Sequence, residues 1–119
     1  MKYPMNVLAP VQEYLMSRLF GLERQKKEIT AADPYLDTSR LTDNAAADAD
    51  AAEEVGHMQA SALRAAVDRS MIQVRKALSR INLGSYGVCE RCGKMIDTDR
   101  LMVMPETTLC VECEKKREK

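Results

Sequence analysis

Cys89-Glu90-Arg91-Cys92-Gly93 and, seventeen residues after Cys92, Cys110-Val111-Glu112-Cys113 are the stretches on which the reading of this chain turns. Tetrahedral zinc needs four soft ligands around one point, and two residues between paired cysteines let one tight turn offer both thiolates to the same ion. The spacing falls in the usual zinc range. Gly93 suits a knuckle turn because it tolerates positive φ, whereas Glu114 at the equivalent place after Cys113 predicts a less ideal second knuckle. With all four positions held by thiolate, the site has no open position for water or substrate, so one structural zinc is expected and a catalytic zinc is not. Four thiolates and Zn2+ sum to minus two, which Arg91, Lys94, Lys115, Lys116 and Arg117 are placed to offset. Two disulfides, or a redox-active dithiol, are the competing readings of the same cysteines. Disulfides need an oxidising compartment, and the opening Met-Lys-Tyr-Pro-Met-Asn leads into no apolar signal-peptide core.

The rest of the chain predicts a helical body. Of its 119 residues 4% are aromatic, with one Phe and no Trp, so its core must be thin. A metal would then hold the small C-terminal end together. No stretch approaches the roughly 18 apolar residues of a membrane span, which with the thiols places the protein in the cytoplasm. The net charge of zero conceals a pattern. Residues 31–54 carry one basic and seven acidic groups, whereas residues 1–30 carry five and three and residues 55–83 carry five and one. An acidic block thus lies between basic flanks.

Leu8, Val11, Leu15, Leu19, Leu22 and Ile29 recur at helical spacing, which predicts a first helix over about 8–32, with Pro10 in or just before its first turn. Asp33-Pro34 should end it. Residues 33–47 are expected to form an acidic tip loop in which Thr42, Asp43 or Asn44 caps a long second helix over about 44–82. Asp48, Asp50, Glu53 and Glu54 near that helix's start are ordinary dipole stabilisation on one reading and a functional acidic tip on another. Leu63, Val67, Met71, Val74, Leu78 and Ile81 step by four or three residues, a seam suited to coiled-coil packing with the first helix. Counting outward from the loop sets Leu8 opposite the region of Val67. Met58 and Met71 read as packing residues and His57 as an exposed or capping residue. Gly84 is the expected left-handed residue after the helix. Lys94-Met95-Ile96 and Leu101-Met102-Val103-Met104 read as short strands joined by a turn at Asp97-Thr98-Asp99-Arg100, with a short helix after the second cysteine pair. The fold class is therefore mainly α: a helical hairpin over residues 1–83 and a four-cysteine module over 84–119.

The run Ala77-Leu-Ser-Arg-Ile-Asn-Leu-Gly-Ser-Tyr-Gly-Val-Cys-Glu-Arg-Cys-Gly-Lys-Met-Ile, with Arg100-Leu101, Pro105 and Leu109-Cys-Val-Glu-Cys, resembles the DksA/TraR zinc-finger family. The resemblance implies binding to bacterial RNA polymerase, with a coiled coil in the secondary channel and an acidic tip near the active-site magnesium. The family motif pairs two acids with a nearby alanine, which points here to Asp48, Asp50 and Ala51 or Ala52. Ungapped counting back from Cys89 puts Ala49 where the key acid belongs, a shift of one residue. Some members use a basic residue directly after the last cysteine to bind ppGpp; Glu114 stands there, and weak or absent ppGpp dependence is expected.

The leading expectation is a transcription regulator without enzymatic activity and without sequence-specific DNA binding of its own. No hydrolytic triad, phosphate-binding glycine loop or open metal site is visible. The alternatives are a zinc-dependent nucleic-acid-binding protein and a thiol redox sensor. The helical period leaves monomer and dimer both open.

Overall fold

The structure, a computed structural model, describes residues 3–34 and 47–118. Four helices follow in order: α1 (Met5–Ala32), α2 (Ala47–Leu83), α3 (Thr98–Val103) and α4 (Val111–Glu118). Contacts group residues 1–20 with 72–119 in one unit and residues 21–71 in another, so the boundary falls inside both long helices. The mainly helical class with a compact C-terminal cysteine cluster is as expected. Among the described residues no helix is long and apolar enough to cross a membrane.

α1 begins earlier than its apolar period suggested. The amides of Val7 and Leu8 both donate to the Pro4 carbonyl, at 3.0 and 3.1 Å, which starts the helix at Met5 and leaves Pro10 in its second turn. Pro10 has no amide hydrogen to offer the Asn6 carbonyl, a loss that is smallest near a helix start. The helix ends at Ala32, before Asp33-Pro34. α2 starts at Ala47. The expected capping residues Thr42, Asp43 and Asn44 lie outside the described part.

Burial in both helices follows a seven-residue step. Leu8, Leu15 and Leu22 are buried on α1, and Ala60, Val67, Val74 and Ile81 on α2, with Met71 and Ala77 beside them. That is the heptad-like packing expected, with two changes in the seam. Leu63 is 54% exposed and Leu78 is only half-buried, while the alanines at 60 and 77 lie inside. Met71 packs as expected, but Met58 is exposed.

Within residues 21–71, Lys26 on α1 meets Asp68 on α2 at 2.7 Å, and Asp33 meets His57 and Arg64. As numbering rises on α1 it falls on α2, so the two segments run antiparallel. These pairs also correct the expected register. Counted outward from the loop, Lys26 would fall opposite residues near 50, but it meets Asp68. Leu8 consequently groups with residues 72–119 and not with Val67.

In the other unit, α2 stops where its last carbonyls find donors. Ser85 N–H reaches the Arg80 carbonyl at 2.9 Å and Gly84 N–H the Ile81 carbonyl at 3.2 Å, with Gly84 at φ 81°. This is a Schellman ending, and only glycine takes that φ without strain. Further on, the expected strand pair does not form. The only bridge among the described residues is Val88 with Met95, and residues 98–103 are helical. The supposed turn is a helix start: the Asp97 side chain accepts the Asp99 amide at 3.1 Å, and the Asp97 carbonyl accepts Leu101 N–H. Leu101 is buried while Met102 and Val103 are exposed, which is one face of a helix turn and not the alternation of a strand.

Candidate metal centre

The two cysteine pairs reach one point by different local structures. In the first, Cys89 N–H donates to the Lys94 carbonyl at 2.8 Å, and Gly93 N–H returns to the Cys89 carbonyl at 3.0 Å. The chain reverses between them because Gly93 sits at φ 78°, a region that costs a residue with a Cβ roughly 1 kcal/mol or more. In the second pair, Cys110 immediately precedes α4 and its carbonyl accepts Glu114 N–H at 2.9 Å. This knuckle is the opening turn of a helix, so it needs no positive φ. Glu114 fits there without strain, and the weakness expected from its lack of glycine character does not arise. A helix start also sets its positive dipole end beside the thiolates.

The ligand atoms of Cys89, Cys92, Cys110 and Cys113 all lie within 4.8 Å of one another. Cys92 Sγ and Cys110 Sγ are 3.7 Å apart. Four sulfurs about 2.3 Å from a tetrahedral zinc are about 3.8 Å apart, whereas a disulfide needs about 2.05 Å. The four cysteines are free thiols, and their spacing fits one zinc ion. Cys89 and Cys113 are buried, Cys110 half-buried and Cys92 exposed.

Burial pushes the Cys89 thiol up, but amides of Cys92, Cys110 and Arg91 hydrogen-bond to its sulfur and bring it down to about 6. Cys113 is pushed up to about 12 by burial and by the neighbouring sulfurs of Cys110, Cys89 and Cys92. Zinc supplies the positive charge that allows four thiolates to share one small volume.

The remaining expected residues stand elsewhere. Asp48 and Asp50 fall in the first turn of α2, with their side chains outside the described part; Ala51 and Ala52 follow them and are exposed. They belong to the unit of residues 21–71, and the cysteines to the other. The cluster of Asp33, His57 and Arg64 was not apparent from sequence. His57 Nδ1 lies 2.8 and 3.0 Å from the two carboxylate oxygens of Asp33, which is fully buried. Arg64 Nη1 approaches the same carboxylate at 2.9 Å. His57 is therefore a cross-helix partner and not an exposed or capping residue.

Beside the cysteines, Gln73, Arg100, Met104, Glu114 and Arg117 line a groove of about 350 Å³, in which Arg117 pairs with Glu114. Thr107 and Thr108 form its buried wall.

Residues 84–119 match the prokaryotic dksA/traR C4-type zinc finger. The RNA polymerase-binding transcription factor DksA of Caulobacter vibrioides is 38% identical over 47 residues, which are 40% of this chain and 33% of that protein. The chain thus matches about a third of that curated relative's length. Two solved structures share the fold nearly throughout. Transcription factor DksA2 from Pseudomonas aeruginosa superposes with a TM-score of 0.59 at 23% identity, covering 95% of this chain and 78% of that one. The DnaK suppressor protein of Agrobacterium tumefaciens C58 gives 0.57 at 26% identity, covering 96% of each chain. Residues 84–119 of this chain are thus a C4 zinc finger of the dksA/traR type, carried on a fold shared with DksA structures.

Proposed function

We propose that this protein is a cytoplasmic, non-enzymatic transcription regulator that binds bacterial RNA polymerase and places the acidic start of α2 in the secondary channel. The observation that supports it most is the joining, in one chain, of the family's C4 finger to two long helices shared with DksA structures over 95% of the sequence or more. The relative from Caulobacter vibrioides carries the name RNA polymerase-binding transcription factor. The charge pattern is consistent with this use. The acidic block at residues 31–54 lies between basic flanks, and carboxylates there would act on the magnesium of the polymerase active site through their field. Asp48 and Asp50 are the acting acids on this reading, with Ala51 and Ala52 next to them.

The proposal includes weak or absent dependence on ppGpp. The position directly after the last cysteine is acidic, and in the groove beside the finger the Glu114 carboxylate engages Arg117, which takes up positive charge that an anionic ligand would need. The zinc has no role in chemistry here, since four cysteines complete its shell.

The test is a pull-down of zinc-loaded protein with polymerase core, with and without a ligand that occupies the secondary channel. Binding that the ligand displaces is the expected result. Failure to bind, with zinc content and helicity intact, overturns the reading, and a salt-dependent affinity for DNA or RNA alone would replace it with the nucleic-acid one.

A further inference from the structure

The last three turns of α2 carry, beside their buried stripe of Val74, Ala77 and Ile81, a polar stripe at Gln73, Lys76 and Arg80. Each polar residue directly precedes a buried one, so the two stripes lie side by side on the helix. All three polar residues reach the zinc module. Gln73 Nε2 donates to the Glu106 carbonyl at 2.7 Å and to Thr108 Oγ1 at 3.1 Å. Lys76 Nζ pairs with Glu90 at 3.0 Å. Arg80 Nη2 donates to the Val88 carbonyl at 2.8 Å.

The places they touch are not scattered. Val88 and Glu90 are the two neighbours of Cys89, and Thr108 stands two residues before Cys110. The two grips are joined below the metal site by Glu90 N–H, which donates to the Thr108 carbonyl at 2.8 Å. One helix face therefore holds both knuckles by residues one or two positions from their leading cysteines. Arg80 holds its place even though its buried Nε has no partner among the described residues, a cost that the surrounding packing must offset.

We propose that Gln73, Lys76 and Arg80 are positioning residues for the zinc. They act through Val88, Glu90 and Thr108 to keep Cys89 and Cys110 at the separation a single tetrahedral ion needs. By the same contacts, zinc occupancy fixes the end of α2. Hydrogen bonds just outside a metal's ligands commonly change its affinity by about 10- to 100-fold. Gln73 and Arg80 make the bonds to buried or half-buried partners and should carry most of the effect, while the surface pair Lys76–Glu90 contributes little. The inference concerns the module alone and stands whether or not the protein binds polymerase.

The experiment uses the full zinc-loaded chain. Zinc release to an excess of chromogenic chelator is measured for Gln73→Ala, Arg80→Ala and the double variant. Leu22→Ala serves as a control that loosens the helical packing in residues 21–71 without touching the module. All are measured well below their melting temperatures. The double variant is expected to release zinc about tenfold faster or more, with Leu22→Ala at the parent rate. Amide hydrogen exchange with and without chelator is the second readout, and residues 72–83 should lose protection when zinc leaves. Parent-like release by the double variant overturns the proposal. So does equal acceleration by Leu22→Ala, or exchange in residues 72–83 that ignores the metal.

Discussion

The carboxylate of Asp33, fully buried at the end of α1, lies 2.8 Å from Nδ1 of His57 on α2, twenty-four residues further along the chain. Arg64 approaches the same oxygen from the next turns of α2. Removing the carboxylate leaves Arg64, mostly buried, without its counter-charge, and losing one partner of a buried pair commonly costs about 3–5 kcal/mol. Asp33→Ala should lower stability by about 3 kcal/mol in urea unfolding. Lys26→Ala, which breaks an ion pair whose members are each more than 40% exposed, should cost less than about 1 kcal/mol. Equal effects would show that the buried cluster is not a principal tie between the helices.

The acidic start of α2 should be separable from folding. Asp48→Asn combined with Asp50→Asn is expected to leave helicity, zinc content and polymerase binding unchanged while abolishing the effect on transcription from a responsive promoter in vitro. Normal regulation by this variant would remove both residues from the proposed mechanism.

Tyr86 should make the protein sensitive to alkali. Its O–H donates to the Pro105 carbonyl at 2.9 Å, and burial, together with Tyr3 and Glu106, pushes its pKa up to about 12. The unfolded chain ionises this phenol near 10, so the native state, which keeps it neutral, is favoured below that pH. That advantage is lost as pH rises from about 10 to 12, and amounts to about 2–3 kcal/mol. Melting of the parent should fall steeply over this window. Tyr86→Phe should begin less stable by about 1 kcal/mol and show a flatter decline.

Metal content and its pH dependence give a further check. One zinc per chain is expected by elemental analysis, and Cys113→Ser should lose it. Since all four ligands bind as thiolates, and the buried Cys113 thiol holds its proton strongly, zinc uptake must release protons. Competition with a chelator should therefore show weaker binding at pH 6 than at pH 8. Removal of the metal should release residues 84–119 from their fixed structure while leaving most helical signal from residues 5–32 and 47–71.

Local chemistry was enough to read the cysteine pairs, the Gly84 ending and the helical period of Leu8, Leu15 and Leu22, because each depends on residues within a turn or two of one another. Spacing of two residues lets paired thiolates face one ion wherever the rest of the chain lies. The same is true of Gly84, whose neighbours alone call for a left-handed φ.

Tertiary structure decided the rest. Leu101-Met102-Val103-Met104 is apolar enough for a strand. Its first three residues close a helix because the buried Leu101 needs one inward face and Arg100 beside it reaches the Leu109 carbonyl at 3.1 Å. Ala60 and Ala77 lie inside while Leu63 is exposed and Leu78 half-buried, so side-chain apolarity alone does not tell which positions face the seam. Asp33 with His57, and Gln73 with Thr108, are joined across 24 and 35 residues. No period or motif links such partners, since a polar contact between distant segments exists only after packing has fixed the helix register and removed the water that would otherwise compete for it.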